Sequence, residues 1–206
     1  MAISGEIIAR NVSYEDFLQR DDEEHVEWVN GLVIKMPSID RRHDALSGFL
    51  RALFSAYLPL TGGGDILQDP MIMRPRPDLP ARAPDLQVIL PHNAHIILNN
   101  QVAGPADLVV EIVSPGSERT DRVEKFREYE QAGIQEYWVL DHRYREALFY
   151  QLDENGQYQR IQPDANGIYQ SKVLSKLRLP VDVLWRDPLP DFWEIGKLVQ
   201  TMVAQE

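Results

Sequence analysis

Cysteine is absent from all 206 residues. That excludes disulfide scaffolds, cysteine-ligated zinc or iron–sulfur centres, and thiol nucleophiles. Long hydrophobic runs are absent as well. No stretch approaches the roughly 18 apolar residues of a membrane-spanning helix. The opening MAISGEIIARNVSYEDF has no basic stretch leading into an apolar one, so no export signal is read there and a cytoplasmic protein is expected. Without such a signal, the Asn11-Val12-Ser13 glycosylation pattern is a chance match. Positive charge is scarce: 21 Lys and Arg stand against 32 Asp and Glu, a net charge of −11. A protein that coats nucleic acid through bulk electrostatics needs a broad positive surface, so that class is excluded. An enzyme with a small local basic patch is not. The acid is also uneven. Residues 1–30 carry eight acids against Arg10 and Arg20, so this segment alone accounts for more than half of the excess.

What is present is ordinary globular material. Hydrophobic residues make up 44% and charged residues 26%, enough for one sizeable core. No repeat, low-complexity tract or linker interrupts the chain, and one domain over residues 1–206 is expected. Arg74–Pro80, rich in proline, reads as a loop between strands.

Local patterns place the elements. Ser13, with Asp16 three residues on, caps a short helix over Tyr14–Gln19. Asn30-Gly31 between Val26–Val29 and Leu32–Met36 is a hairpin signal, because both turn residues tolerate positive φ. A long helix comes next over Arg41–Leu58, with Leu46, Phe49, Leu50, Leu53 and Phe54 at helical spacing, ended by Pro59 and the glycines at 62–64. Strands are expected at Asp65–Met73, Ala83–Leu90 and Asp107–Ser114. The last is apolar on both faces except for Glu111, the pattern of a central strand covered on both sides. Ser117 caps a helix to Ala132, and Gly133 closes it. The strand Glu136–Leu140 comes after it. Ala147–Leu152 and Tyr158–Gln162 form a meander turning at Asn155-Gly156, and a helix over Asp191–Val203 ends the order. The class is α/β with a mixed central sheet.

The candidate chemistry starts from two carboxylates on consecutive strands, Asp85 and Glu111. A buried carboxylate needs a partner or it protonates. Two at matching depth on neighbouring strands can share a divalent cation, and oxygen ligands completed by water suit Mg²⁺ or Mn²⁺. Alternatively, Glu111 lies on an edge strand facing solvent, or pairs with an arginine. On the helix over 117–132, Val123, Phe126 and Tyr129 make the apolar side. At about 100° per residue, Lys125 falls at its border, close to Tyr129 and Asp121. From there it reaches the preceding strand's end, or it forms a surface ion pair with Asp121 worth about half a kcal/mol.

Three stretches carry a resemblance: PADLVVEIVSP at 105–115, DRVEKFREY at 121–129 and GIQEYWVLD at 133–141. Together with Ala83-Pro84-Asp85-Leu86, the Glu27-containing hairpin and Arg42-His43, they resemble the Uma-type restriction endonuclease family of the PD-(D/E)XK nuclease superfamily, over about residues 13–190. The resemblance implies a restriction-endonuclease-like fold, with an N-terminal hairpin and a C-terminal β meander. It implies metal-dependent endonuclease activity on DNA, with Mg²⁺ or Mn²⁺ held by Asp85, Glu111 and the Ile112 carbonyl. The usual lysine two residues after the glutamate is replaced by Val113, and Lys125 is the matching residue on the following helix. Glu27 is implied as an accessory acid near the metal. His43 is weighed as a capping or packing residue, and no role is set for Asp121. Arg41, Arg42, Arg74, Arg76, Arg119 and Arg122 are candidate phosphate contacts. DNA affinity should be weak and dependent on metal and salt, with a homodimer expected for double-strand cutting. The alternatives are a non-catalytic interaction or regulatory protein that keeps the fold, or a hydrolase of RNA or another phosphate ester.

Overall fold

A computed structural model describes residues 5–20 and 25–204. Four of the eight N-terminal acids, at 21–24, lie outside the described residues. Strand β1 (Glu6–Arg10) is followed by helix α1 (Tyr14–Leu18), the hairpin β2 (Val26–Val29) and β3 (Leu32–Lys35), and the long helix α2 (Arg41–Tyr57). Then come β4 (Asp65–Gln68), β5 (Leu86–Ile89) and β6 (Leu108–Ile112). After them, a π-helical turn (Thr120–Lys125) runs into α3 (Phe126–Ala132), followed by β7 (Glu136–Asp141), β8 (Glu146–Leu152) and β9 (Tyr158–Ile161). A small hairpin, β10 (Ile168–Gln170) and β11 (Arg178–Pro180), precedes the last helix, α4 (Phe192–Ala204).

The central sheet has the order β4-β5-β6-β7-β8-β9. Only β6 and β7 are parallel, and the intervening helix makes the crossover that a parallel pair requires. The other pairs are antiparallel, so the sheet is mixed and β6 is interior, as expected. The edge-strand alternative for Glu111 is excluded.

Side-chain alternation builds two cores. Leu108, Val110 and Ile112 of β6 join Trp138 and Leu140 of β7 beneath the Leu46, Leu50, Leu53 and Phe54 face of α2. Val109 and Val113 point the other way, joining Tyr137 and Val139 against Tyr129. Glu111 lies on this second face by the period of two.

At the N-terminal hairpin, Asn30 and Gly31 both take positive φ, 50° and 82°, as the turn signal predicts. Two expected strands are shorter than their sequence pattern. Pro70 has no amide hydrogen to continue β4 past Gln68. Residues 81–82 pair instead with Trp28 and Met73, which leaves β5 to begin at Leu86. Strand β1 and the β10–β11 hairpin were not anticipated.

Asp40 caps α2, accepting hydrogen bonds from the Arg42 and His43 amides at 2.9 Å each. Those bonds hold its carboxyl below its ordinary pKa. Asp40→Ala should cost about 1 kcal/mol in urea unfolding at neutral pH. The Asp40 pKa is depressed on folding, so the charge contribution is complete above the ordinary value. The gap between wild type and variant should therefore narrow as pH falls through the depressed one.

Candidate active site

The ends of β5 and β6 meet α2 and the π-helical turn at a small cleft. It is lined by Asp85, Glu111, Ile112, Asp121, Lys125 and His43, among others, and its free volume is about 30 Å³. That is room for one or two water-sized spheres.

Backbone pairing sets the carboxylates. Leu86 faces Val110 across the antiparallel β5–β6 ladder, so the next pair outward is Asp85 and Glu111. One Asp85 oxygen accepts the Ile112 amide at 2.6 Å, and the other lies 3.2 Å from His43 Nε2. Burial disfavours a charged His43 ring, but the hydrogen bond and charge of Asp85 outweigh it and raise its pKa. His43 is thus the residue that holds Asp85, besides packing in α2.

Glu111 is buried. Its Oε1 accepts the Tyr129 hydroxyl at 2.9 Å, and its Oε2 lies 2.8 Å from Lys125 Nζ. Lys125 also lies 3.3 Å from Glu27 and 3.5 Å from Asp121. Ser117 Oγ donates to the second Asp121 oxygen at 2.5 Å.

Here the helical arithmetic fails for a physical reason. The π-helical turn closes i→i+5 and inserts one residue, which rotates the remainder of the helix by about 100°. Val123, placed on the apolar side by the α-helical period, is exposed, whereas Lys125 is 2% exposed. The surface Asp121–Lys125 pair is likewise overturned, because both groups are buried.

Glu27 sits behind the cleft rather than in it. Strand β2 bridges residue 81 through Trp28, which brings Glu27 Oε2 to 2.7 Å from Arg82 Nη1 and Oε1 to 3.3 Å from the Ala83 amide. Arg82 in turn grips Glu128 through two bonds of 2.8 and 2.7 Å. The residue just before Ala83-Pro84-Asp85 is therefore the counter-charge of the site's support, and sequence reasoning passed over it. Tyr129 was counted only as apolar, although it stands four residues after Lys125 and can reach the same partner.

The charges are unequal. Burial works against an ionised Glu27, yet Lys125 and Arg82 hold its pKa down to about 2. Glu111 shares Lys125 but lacks a second cation. Its burial, with the negative charges of Asp121 and Asp85, raises its pKa well above the ordinary value. Asp121 is raised for the same leading reason, burial, helped by Asp85 and Glu27. Lys125 stays protonated, because three carboxylates overcome its desolvation. Four carboxyl groups, Glu27, Glu111, Asp121 and Glu128, thus share two buried cations, Lys125 and Arg82.

Most of the candidate phosphate contacts are occupied by the protein itself. Arg42 donates to the Leu184 and Arg186 carbonyls, and Arg76 pairs with Asp78. Arg74 lies over the Tyr14 and Trp28 rings, and Arg122 bridges Asp141 and Glu146. Arg119 is exposed 3.7 Å from Glu124. Arg41 is exposed, and among the described residues it forms no ion pair.

A mixed α/β sheet flanked by helices is an architecture shared with a solved structure. That structure is described as a putative nuclease belonging to DUF820, from Anabaena variabilis. The two superpose with a TM-score of 0.66 at 19% identity, covering 84% of this chain and 97% of that one. The chain belongs to the Uma2 family, described as "Putative restriction endonuclease", whose model matches residues 14–182. No curated protein matches it. Among the described residues, no helix is long and apolar enough to cross a membrane.

Proposed function

We propose that this chain is a metal-dependent endonuclease that hydrolyses DNA phosphodiester bonds. One observation supports it most: Asp85 and Glu111 face each other on neighbouring strands at the cleft, one step beyond the last ladder pair, with a buried lysine 2.8 Å from Glu111. The donor set suits a hard divalent cation. Among the described residues no three His, Asp or Glu side chains converge as a metal cage. Mg²⁺ needs only one or two carboxylates, with water completing the shell. Asp85, Glu111 and the Ile112 carbonyl would hold it, and a divalent ion there would favour the ionised form of Glu111. When bound, the ion supplies a water of lowered pKa and compensates charge on the transition state.

The remaining work falls to the chain. Lys125 keeps a full positive charge in the cleft, able to orient a water or a phosphate oxygen. Glu27 and Asp121 hold that ammonium group, and Arg82 keeps Glu27 in place. Tyr129 orients Glu111, and His43 orients Asp85. Glu27 is on this reading a positioning residue. Cutting both strands with one site per chain calls for two copies.

The test is incubation of the purified chain with supercoiled plasmid. Nicked or linear product is expected with Mg²⁺ or Mn²⁺ and none with EDTA. No product in either metal at millimolar concentration would overturn the nuclease reading in favour of a fold retained without catalysis. Cleavage of RNA but not plasmid would move the substrate class.

A further inference from the structure

We infer that the β7–β8 turn, His142 to Arg145, is a duplex-DNA backbone grip beside the cleft, with Tyr144 and Arg145 as its contact residues. The inference rests on the nuclease reading and extends it to how substrate is held.

The placement comes from strand register. Strands β6 and β7 run parallel, with Glu111 opposite Val139 and Ile112 opposite Leu140. The turn therefore leaves the sheet at the end that carries the carboxylates. His142 lies three residues beyond Val139, about 10 Å along the strand. That spacing is about three base-pair rises on one strand. The turn's base is also tied to the cleft wall, since His142 Nε2 lies 3.0 Å from Asp40 Oδ2. Asp40 caps the helix that carries His43, and its neighbours Ile39 and Arg41 are both exposed.

The turn is built to present side chains outward. Asp141 is buried and grips the Arg143 guanidinium at 3.0 and 2.8 Å. The fixed guanidinium lies 5.4 Å from the centre of the Tyr144 ring. Tyr144 is 71% exposed, among the most exposed of the large side chains. Arg145 takes a left-handed backbone, φ 50°, and is exposed. Among the described residues Arg145 forms no ion pair, unlike the arginines committed to internal partners. An exposed tyrosine hydroxyl and the exposed arginine next to it in the chain match the chemistry of phosphate oxygens, while Arg143 is taken up by Asp141. On a chain of net charge −11, such a patch is what lets a duplex approach.

The experiment measures binding of a fluorescent 30-base-pair duplex by anisotropy, in EDTA and in Ca²⁺, each across a salt series. The proteins are wild type, the double variant Tyr144→Phe with Arg145→Asn, and a control, Arg160→Asn, on edge strand β9. Asparagine tolerates the left-handed backbone, so folding should be unchanged. The double variant should bind about tenfold more weakly, with a salt slope lower by about 1. Arg160→Asn should bind as wild type. Equal binding by wild type and the double variant would overturn the grip while leaving plasmid cleavage, and so the nuclease reading, intact. Equal weakening in Arg160→Asn would mean bulk charge and also overturn it. A chain that neither binds duplex nor cuts plasmid would overturn both.

Discussion

Glu111→Gln and Asp85→Asn should each lower metal-dependent plasmid cleavage by about a thousandfold or more, while both variants stay folded. The two halves of this expectation come from one fact. Glu111 is buried, and its ionised form is disfavoured by burial and by Asp121 and Asp85. A carboxylate with a raised pKa costs stability when charged, so neutral glutamine of nearly the same shape should leave the unfolding midpoint unchanged or raise it. On the proposed reading the Glu111 carboxylate is a metal ligand, so cleavage is where its loss should be read. Circular dichroism melts beside plasmid cleavage separate the outcomes. Full activity in Glu111→Gln would remove it from the site. Loss of both folding and activity would make its carboxylate structural.

Arg82→Met should be the most destabilising change near the site, by about 3–5 kcal/mol in urea unfolding. Arg82 is buried between Glu27 and Glu128, and its removal leaves Glu27 sealed from water with Lys125 alone. The cost is that of an uncompensated buried charge rather than of a lost bond. Adding Glu27→Gln should recover a large part of the loss, since a neutral amide carries no such penalty. A loss below about 1 kcal/mol in the single variant would show that Glu27 finds other compensation. The pH dependence has a definite sign. Glu27's pKa is depressed on folding to about 2. Its stabilising contribution is complete above the ordinary carboxylate range and disappears as pH falls toward that value. In Arg82→Met the folded-state pKa of Glu27 rises toward the ordinary value, so this acid-side loss should be smaller and end at higher pH.

How much of this was legible depends on the range of the interaction. The α2 stripe from Leu46 to Phe54, the Asn30-Gly31 turn and the apolar run around Glu111 are periodic signals within one segment, and each formed the expected element. Asp85 and Glu111 were legible as a pair because consecutive strands with matching depth tend to be neighbours. Lys125 was singled out by its border position on the helix and matched to the family's lysine by resemblance, but its burial was hidden. The α-helical period that predicted a border position is broken by the single inserted residue of the π-helical turn. Of the arginines named as phosphate candidates, Arg42, Arg74, Arg76 and Arg122 have partners within the protein, because a side chain's partner is not a property of its own segment. Arg42 is satisfied by carbonyls more than 140 residues away in sequence.

The sequence by itself determined the order of the helices and of the central strands, the two faces of those strands, and which acids stand at their ends. These come from backbone sterics and hydrophobic periodicity, which act over a few residues. Only the tertiary structure decided that Lys125 is enclosed by three carboxylates, that Glu27, held by Arg82, contacts it from behind, and that the β7–β8 turn leaves the sheet at the cleft end. The physical reason is electrostatic. Charge interactions strengthen as 1/r and as water is excluded, so their outcome depends on which distant segments the fold brings within about 3 Å of each other.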